Sequence, residues 1–521
     1  MERRMNKEDS KGGAMRIGII DIGSNSMRLV IYEVTDKSYF VVGQVRHSAR
    51  LGQDMVNNTL NLGRIEYGLK VLKDFKDYME SKDVEEVIAV ATEAIRKASN
   101  KEVFLTAAKK ALGNDIRVLS GQEEAFYDYY AIVNTMDLDN CLMVDIGGSS
   151  TEIALIENKI LQESISIPFG SIVLTEKFNV KANPSKEEDL HRFLRNNFRR
   201  IPWLKNAKGL PIVGIGGSVR TLGKIDRFRK DNAMFISHNY SLEQRDVSEI
   251  YDIVVGYVKG EVKRVYGLSR DREDIIIGSL ATLNSLMKYQ NSKKLFVSNA
   301  GVRNGLLFER ILGRNKRIQD VLEFSLDNII RNHMYKGYEG KDLFKLVRVM
   351  YTELCKKYPS LLGNGKVLKT ATYLYDIGTN INFFQRDRNT FYSILNAPIN
   401  GLSQKQILMA ASSASVFSAN DLLKEFFNKK ILSSRDMKII EMLGILIKIA
   451  EALNHGVSNE TKITKITLTD TSMIMECTTP TDPIFKQEEL KVHLSKFKFI
   501  YRLSLDVRFT LLEKKPTSHK P

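Results

Sequence analysis

The hydrophobic pattern of the chain is organised by a stretch that occurs twice. Residues 19–34 read IIDIGSNSMRLVIYEV, and residues 143–158 read MVDIGGSSTEIALIEN. Each copy is an apolar run of strand length, then Asp-Ile-Gly and a small polar loop, then a second apolar run. A run broken by Gly and polar residues and resumed at once predicts a β-hairpin whose tight turn exposes its backbone. The copies lie 124 residues apart and share Asp21 with Asp145, Gly23 with Gly147 and Ser26 with Ser150. A loop repeated at that separation predicts a duplicated α/β unit, its halves facing each other across a cleft.

The intervening pattern agrees. Residues 39–45 are β-rich, Ile65, Leu69, Leu72 and Phe75 have helical spacing within 64–80, and EEVIAVAT at 85–92 reads as a strand. Strand alternating with helix is the α/β signature. Ser120, with Glu123 three residues on, forms a capping box at a helix start. After the second hairpin come a strand in LQESISIPFGS, a basic helix near 185–200, and PIVGIGGSVRTL at 211–222, a strand that ends in a Gly-Gly-Ser turn and a helix start. Helical stretches near 242–256 and 273–288 lead to KLFVSNAGVRNGLL at 294–307, a strand running into a helix.

Helical periodicity then dominates from about residue 315 to 463. TKITKITLTD and FIYRLSLDVRF alternate as strands, and the tail KKPTSHKP is expected to lack order. The expected division is 1–136 and 137–313 for the two α/β halves, 314–460 for an all-helical domain and 461–521 for a small α+β, β-rich module.

Composition narrows the class. A chain of 521 residues exceeds what one core usually supports. No run of about 18 apolar residues appears, so a spanning helix is not expected. The mixed charges of MERRMNKEDSKGGA argue against a signal peptide, and the expected location is the cytoplasm. Cys141, Cys355 and Cys477 form no metal-spaced pair and fit buried thiols of a reducing compartment. A net charge of +16 and a pI near 9.4 imply a polyanionic partner. The basic residues are spread, with Arg192, Arg195, Arg199 and Arg200 on one expected helix and Lys224, Arg227, Arg229 and Lys230 beyond it.

Three turns carry candidate chemistry: Gly23-Ser24-Asn25-Ser26, Gly147-Gly148-Ser149-Ser150-Thr151 and Gly216-Gly217-Ser218. Glycine lets a phosphate approach backbone N–H groups, hydroxyls add donors, and a helix start adds its own pull on anions. One such turn is weak; three, two of them from a repeated hairpin, predict a polyphosphate-binding cleft. Asp21 and Asp145 stand at the loop mouths. Repeated there, the pair is expected to face a hydrated Mg²⁺, which takes one or two carboxylates plus substrate oxygens. Phosphoryl transfer to water also needs a base. The seven histidines are scattered, so Glu123 and Glu124 are the candidates. One caps the helix while the other faces the cleft, and the pattern alone leaves open which does which.

These residues match a family. DIGSNS (21–26), ATEAIRKASN (91–100), SGQEEA (120–125), DIGGSSTE (145–152), GIGGS (214–218) and SNAGVRNG (298–305) resemble the exopolyphosphatase and guanosine pentaphosphate phosphatase family. That family belongs to the actin-like, sugar kinase and heat-shock ATPase superfamily, so the resemblance implies a duplicated, ribonuclease H-like two-lobed core. It implies Glu124 as the base that activates water and Asp145 as its acidic partner. It further implies Glu152 near the metal and Arg96 at the cleft. The expected set is therefore Glu124 and Asp145 for catalysis, with Asp21, Asp145 and Glu152 for Mg²⁺ and a monovalent cation as a further candidate. Arg96 joins the glycine–serine turns as a phosphate ligand.

Longer relatives carry a helical domain resembling metal-dependent His-Asp phosphohydrolases, and ATYLYDIGTNIN (371–382) is similar to its hallmark segment. Tyr375 stands before Asp376 where the paired histidine belongs, and no histidine lies between His333 and His455. A site of that type needs several imidazoles, so this HD-like domain is expected to bind no catalytic metal. The leading expectation is an exopolyphosphatase, with a homodimer as its assembly and neither membrane nor nucleic acid as partner. Hydrolysis of guanosine pentaphosphate is the nearest alternative. An actin-like ATPase or kinase-type phosphotransferase is more distant, and a non-catalytic polyanion binder would have no use for Glu124 and Asp145.

Overall fold

The computed structural model describes residues 13–35, 38–232, 234, 236–334, 338–417, 424, 426, 431–454 and 461–512. The N-terminal segment read against a signal peptide and the tail expected to lack order lie outside them, as do His455 and His519. The chain divides into two compact units, Met1–Val321 and Leu322–Pro521.

The first unit contains both repeated hairpins. β1 (Met15–Ile22) pairs antiparallel with β2 (Met27–Val34), and β3 (Tyr39–His47) adds to its far edge. β4 (Glu86–Ala91) and β5 (Ile116–Val118) continue the sheet in parallel on the other side of β1, giving the order β3-β2-β1-β4-β5. The second half repeats this plan with β6 (Cys141–Ile146), β7 (Thr151–Glu157), β8 (Ile160–Ile167), β9 (Ile212–Ile215) and β11 (Lys294–Val297). Its order is β8-β7-β6-β9-β11, with β10 (Tyr240–Glu243) added antiparallel at the edge. The duplication read from two loops is thus a duplication of whole sheets.

The middle strands of both sheets are apolar on both faces because helices cover both. Ile20, Leu29 and Ile31 pack with Leu72, Phe75 and Phe104 on one face of the first sheet. On its other face Ile17, Ile19, Val30 and Tyr32 meet Tyr127, Leu306 and Leu307. Those last residues belong to the helices Gly121–Val133 and Val302–Leu312, which pack against each other. The first of these also packs on β7 and β8. It is therefore wedged between the two halves, and its first turn opens at the cleft. The second half has its own core, built around Leu142, Val144, Ile212 and Leu295 with the helix Ile276–Gln290.

Within the second unit, helices run from Val321–His333 to Ser434–Asn454. β12 (Lys462–Leu468), β13 (Ser472–Thr479) and β14 (Ser504–Leu511) form one sheet with the helix Ile484–Tyr501 between the last two. The expected strand in FIYRLSLDVRF starts later than its pattern suggests. Phe499 to Tyr501 are the last turn of that helix, and Arg502 ends it in the left-handed region at φ 56°. Burial of Phe497 and Tyr501 one turn apart holds the segment helical against its own β propensity. Among the described residues no helix is long and apolar enough to cross a membrane.

Candidate active site

The two hairpin turns close in the same way. The N–H of Gly23 donates to Ser26 O at 3.1 Å, and that of Gly147 donates to Ser150 O at 3.0 Å. Each loop is then pinned from outside. Gly52 N–H donates to Ser24 O at 2.9 Å, and Ser171 N–H donates to Gly147 O at 2.9 Å. The third turn has a different device: Gly216 sits at φ 98°, where a side chain is strained, and a Cβ there would lie 2.8 Å from Asp145 Oδ1. A Cβ at Gly217 would displace the Arg272 guanidinium, which lies directly over it.

These turns converge on one cleft of about 140 Å³. Gly23, Ser24, Asn25 and Ser26 line it from one half; Gly147, Gly148 and Ser150 line it from the other, with Gly216, Gly217 and Ser218 beside them. Asp21, Glu124 and Asp145 also face it. Three expected residues stand outside that lining. Ser149 packs against Gly52, Glu152 is buried and accepts from Ser166 Oγ at 2.7 Å, and Arg96 lies behind Glu124.

Helix phase separates the two glutamates. Ser120 N–H donates to Glu123 Oε2 at 2.8 Å and Ser120 Oγ accepts from Glu123 N–H at 3.1 Å, so Glu123 is the cap. Glu124, one residue on, is turned by about 100° into the cleft. Arg96 Nη1 donates to Glu124 Oε2 at 3.2 Å and to Leu119 O at 2.6 Å, and its other branch pairs with Glu93. That fork holds Glu124 in one orientation.

The carboxylates crowd one another. Burial, and then Glu152, push Glu124 well above the usual carboxylate range, against the pull of Arg96. Burial lifts Asp145 to about 6 while Arg220 opposes it, and burial with Asp145 lifts Glu152 to about 7. Asp128, on the helix of Glu124, is fully buried, and neither of its carboxyl oxygens meets a donor of the protein. Burial, and then Asp145, push it well above the usual carboxylate range.

A crowd of buried acids beside the glycine–serine turns fits a cation. Among the described residues no three His, Cys, Asp or Glu converge as a ready-made cage. Mg²⁺ does not require one, because it takes one or two carboxylates and fills its shell with water and phosphate oxygens. Asp145 faces the cleft and fits that role, with Glu152, its partner across the β6–β7 hairpin, buried behind it. Asp21 is already engaged, accepting from Arg303 Nη1 at 3.3 Å.

Four arginines in the lining, Arg28, Arg220, Arg272 and Arg303, are absent from the residues expected from the sequence. Three had a signal: Arg28, Arg220 and Arg303 each follow the end of a turn by two residues, in Ser-Met-Arg, Ser-Val-Arg and Gly-Val-Arg. Arg272 arrives from a separate segment and had none. Glu93, Thr92 and Asn299 also line the cleft. Burial, with Arg303 and Arg220 nearby, pushes Arg28 down to about 9, and burial with Arg303 pushes Arg220 to about 10. The cleft therefore has an acidic wall and a cationic wall, as a site for transfer of a charged phosphoryl group requires.

Comparison with known proteins identifies the family. The sequence profile of the Ppx/GppA phosphatase family matches residues 30–313. The chain is 25% identical over 443 residues to a guanosine-5'-triphosphate,3'-diphosphate pyrophosphatase of Pseudoalteromonas translucida, spanning 82% of this chain and 86% of that one. The crystal structure of the Aquifex aeolicus member of the Ppx/GppA family is 28% identical with a TM-score of 0.50, covering 58% of this chain and 100% of its own. An exopolyphosphatase of Cytophaga hutchinsonii shares the fold at 23% identity and a TM-score of 0.53, covering 57% of this chain and 98% of its own. The chain belongs to the Ppx/GppA phosphatase family, whose members hydrolyse phosphoanhydride bonds.

Proposed function

We propose that this protein is an exopolyphosphatase that releases orthophosphate from the ends of inorganic polyphosphate. The observation that carries the reading is the buried, Arg96-anchored Glu124 facing a small cleft walled by three glycine–serine turns and four arginines. In this reading the turns hold the terminal phosphoryl group through backbone N–H and hydroxyl groups. Glu124 takes a proton from a water molecule as its oxygen attacks the terminal phosphorus. The bridging P–O bond breaks, and the shortened chain leaves with the electron pair beside Arg28, Arg220 and Arg303. Asp145 would hold Mg²⁺, which when bound would supply positive charge to the phosphoryl oxygens. Arg96 orients the base and is not itself a phosphate ligand. The overall charge of +16 favours a long polyanion.

The helical part is read as holding no catalytic metal. Asp376 pairs with Arg386 at 3.5 Å, and Arg386 also pairs with Glu451 at 2.5 Å. Tyr375 stacks on Tyr338 with ring centroids 6.1 Å apart. An arginine thus meets the charge of Asp376 where a His-Asp pair would hold metal. We assign the protein to the cytoplasm as a homodimer, which sedimentation equilibrium tests.

Phosphate release from polyphosphate by wild type and Glu124→Gln tests the assignment. The variant is expected to lose about 10²–10⁴-fold in rate. Unchanged release would sink it. Guanosine pentaphosphate hydrolysis is the second reading, favoured by the likeness to the Pseudoalteromonas enzyme across most of both chains. A higher kcat/KM on the nucleotide than on polyphosphate would make that reading the correct one.

A further inference from the structure

The helix Ile484–Tyr501 of the second unit is apolar on two opposite sides. One side carries Leu490, Phe497 and Tyr501, which are buried where the helix packs on the helix Ser434–Asn454 and on β14. The other carries Phe485, Val492 and Phe499, which are 77%, 67% and 67% exposed. These three recur at seven-residue spacing, so they form one row about 21 Å long, roughly 140–180° around the helix from Leu490. Phe383 and Phe384, 64% and 94% exposed, share a cavity of about 970 Å³ with Val492 and Lys496 and widen the apolar surface. A single exposed apolar side chain is ordinary, whereas a row of them rimmed by charge marks a contact face. A seven-residue period is also the one on which helices pair.

The charges on this face reverse along the helix. Glu488 and Glu489 flank the row before Val492, and Lys496 flanks it after. A second copy of the helix, laid antiparallel with a two-fold axis at Val492, sets residues equally spaced before and after that position opposite each other. Phe485 then meets the partner's Phe499, and Glu488 meets the partner's Lys496. In one copy Glu488 accepts from Lys491 Nζ at 2.5 Å, and Lys496 Nζ lies 4.0 Å from the centroid of the Phe417 ring. Both are contacts of exposed side chains, which exchange partners readily. An anionic membrane surface fits this face less well, because Glu488 stands within the row and would be turned toward it.

We propose that this face is where two copies of the chain meet, their helices crossing antiparallel at Val492 with Phe383 and Phe384 beside the crossing. The proposal rests on the homodimer assignment and gives it an interface. The phenylalanines supply the affinity, and the reversal of charge fixes the direction in which the copies pair. A two-fold contact of this kind is self-complementary and closes at two copies.

The exposure of Phe485 and Phe499 means that their replacement leaves the core intact, which circular dichroism and Tm check. Sedimentation equilibrium on the full-length chain compares wild type with Phe485→Gln plus Phe499→Gln. The dimer Kd is expected to rise about 30-fold or more. Glu488→Lys should also weaken the dimer, and adding Lys496→Glu should recover it. Disulfide formation under a mild oxidant reads the direction. Val492→Cys should link to itself, and Phe485→Cys should link to Phe499→Cys in a mixed sample but not to itself. Wild type, with Cys141 and Cys477 buried and Cys355 half-buried, should stay unlinked. A dimer that is unchanged in the double glutamine variant would overturn the interface and leave the homodimer standing. A wild type that stays monomeric at every concentration would overturn the homodimer and this interface with it. Linking of Phe485→Cys to itself would overturn the antiparallel crossing. Binding of a monomeric wild type to phosphatidylserine vesicles, lost in the double glutamine variant, would overturn the proposal and make the row a membrane-contact face.

Discussion

Arg28 and Glu152 occupy the same position in the two repeated hairpins. Arg28 is the cross-strand partner of Asp21, and Glu152 is the cross-strand partner of Asp145. The copies are thus alike in backbone and opposite in charge at that position. The first turns its position to the cationic wall, and the second buries a carboxylate beside Asp145.

Arg28→Gln should therefore act on substrate charge and leave the base in place. Loss of a charged hydrogen-bonding partner costs about 1.5–3 kcal/mol, so kcat/KM on polyphosphate is expected to fall roughly 10- to 150-fold. Steady-state kinetics over a range of chain lengths measures this. An effect as large as that of Glu124→Gln on kcat alone would contradict the division of labour.

Arg96 lowers the proton affinity of Glu124 and holds its carboxylate in place. Arg96→Ala should reduce kcat by up to about 10²-fold through misplacement of the base. It should also move the rising limb of the pH–rate profile to higher pH, because the charge that favours ionised Glu124 is gone. Arg96→Lys should recover part of the pH shift and less of the rate. A profile that does not move would count against Arg96 as the positioning residue.

The metal-free protein should become less stable as pH rises. Asp145 near 6 and Glu152 near 7 are raised above their unfolded values, mainly by burial. Protons bound to the native state stabilise it at low pH, and that contribution is lost as pH climbs through those values. In EDTA, thermal unfolding should show Tm falling by several degrees between about pH 5 and about pH 8. Added Mg²⁺ should remove most of the fall. A Tm that rises across this window in EDTA would show that the two acids are not held protonated by the fold.

Gly216→Ala puts a side chain where φ is 98° and where its Cβ would lie 2.8 Å from Asp145 Oδ1. The expected cost is about 1–3 kcal/mol of stability from backbone strain, with a loss of activity beyond what unfolding explains. Chemical denaturation and specific activity of the folded fraction separate the two. Unchanged activity in the folded fraction would mean that Asp145 is free to move.

Much of the site was legible because repetition and capping are local. The twin Asp-Ile-Gly loops needed only apolar runs interrupted by small residues to mark hairpins, and they do form them. Ser120 with Glu123 already described a capping box, and helix geometry then turns the next residue, Glu124, away from the cap. The arginines were harder, since a lone Arg two residues past a loop resembles any solvated charge until three such loops are seen to converge.

The sequence by itself determined the two hairpins, the alternation of strand and helix, the capped helix of Glu124 and the ordering of the glycine–serine turns. All of these follow from periodicities and turn chemistry that act within a few residues. Tertiary structure alone decided that Arg272 lies over Gly217, that Arg46 opposes Arg28 across the sheet, and that Phe499 to Tyr501 stay helical. Each depends on which distant segment is packed alongside, and burial against that neighbour outweighs the local preference. Tertiary structure also made the two hairpins unequal, by packing the helix of Glu124 against the second copy and bringing Arg303 back to Asp21 in the first.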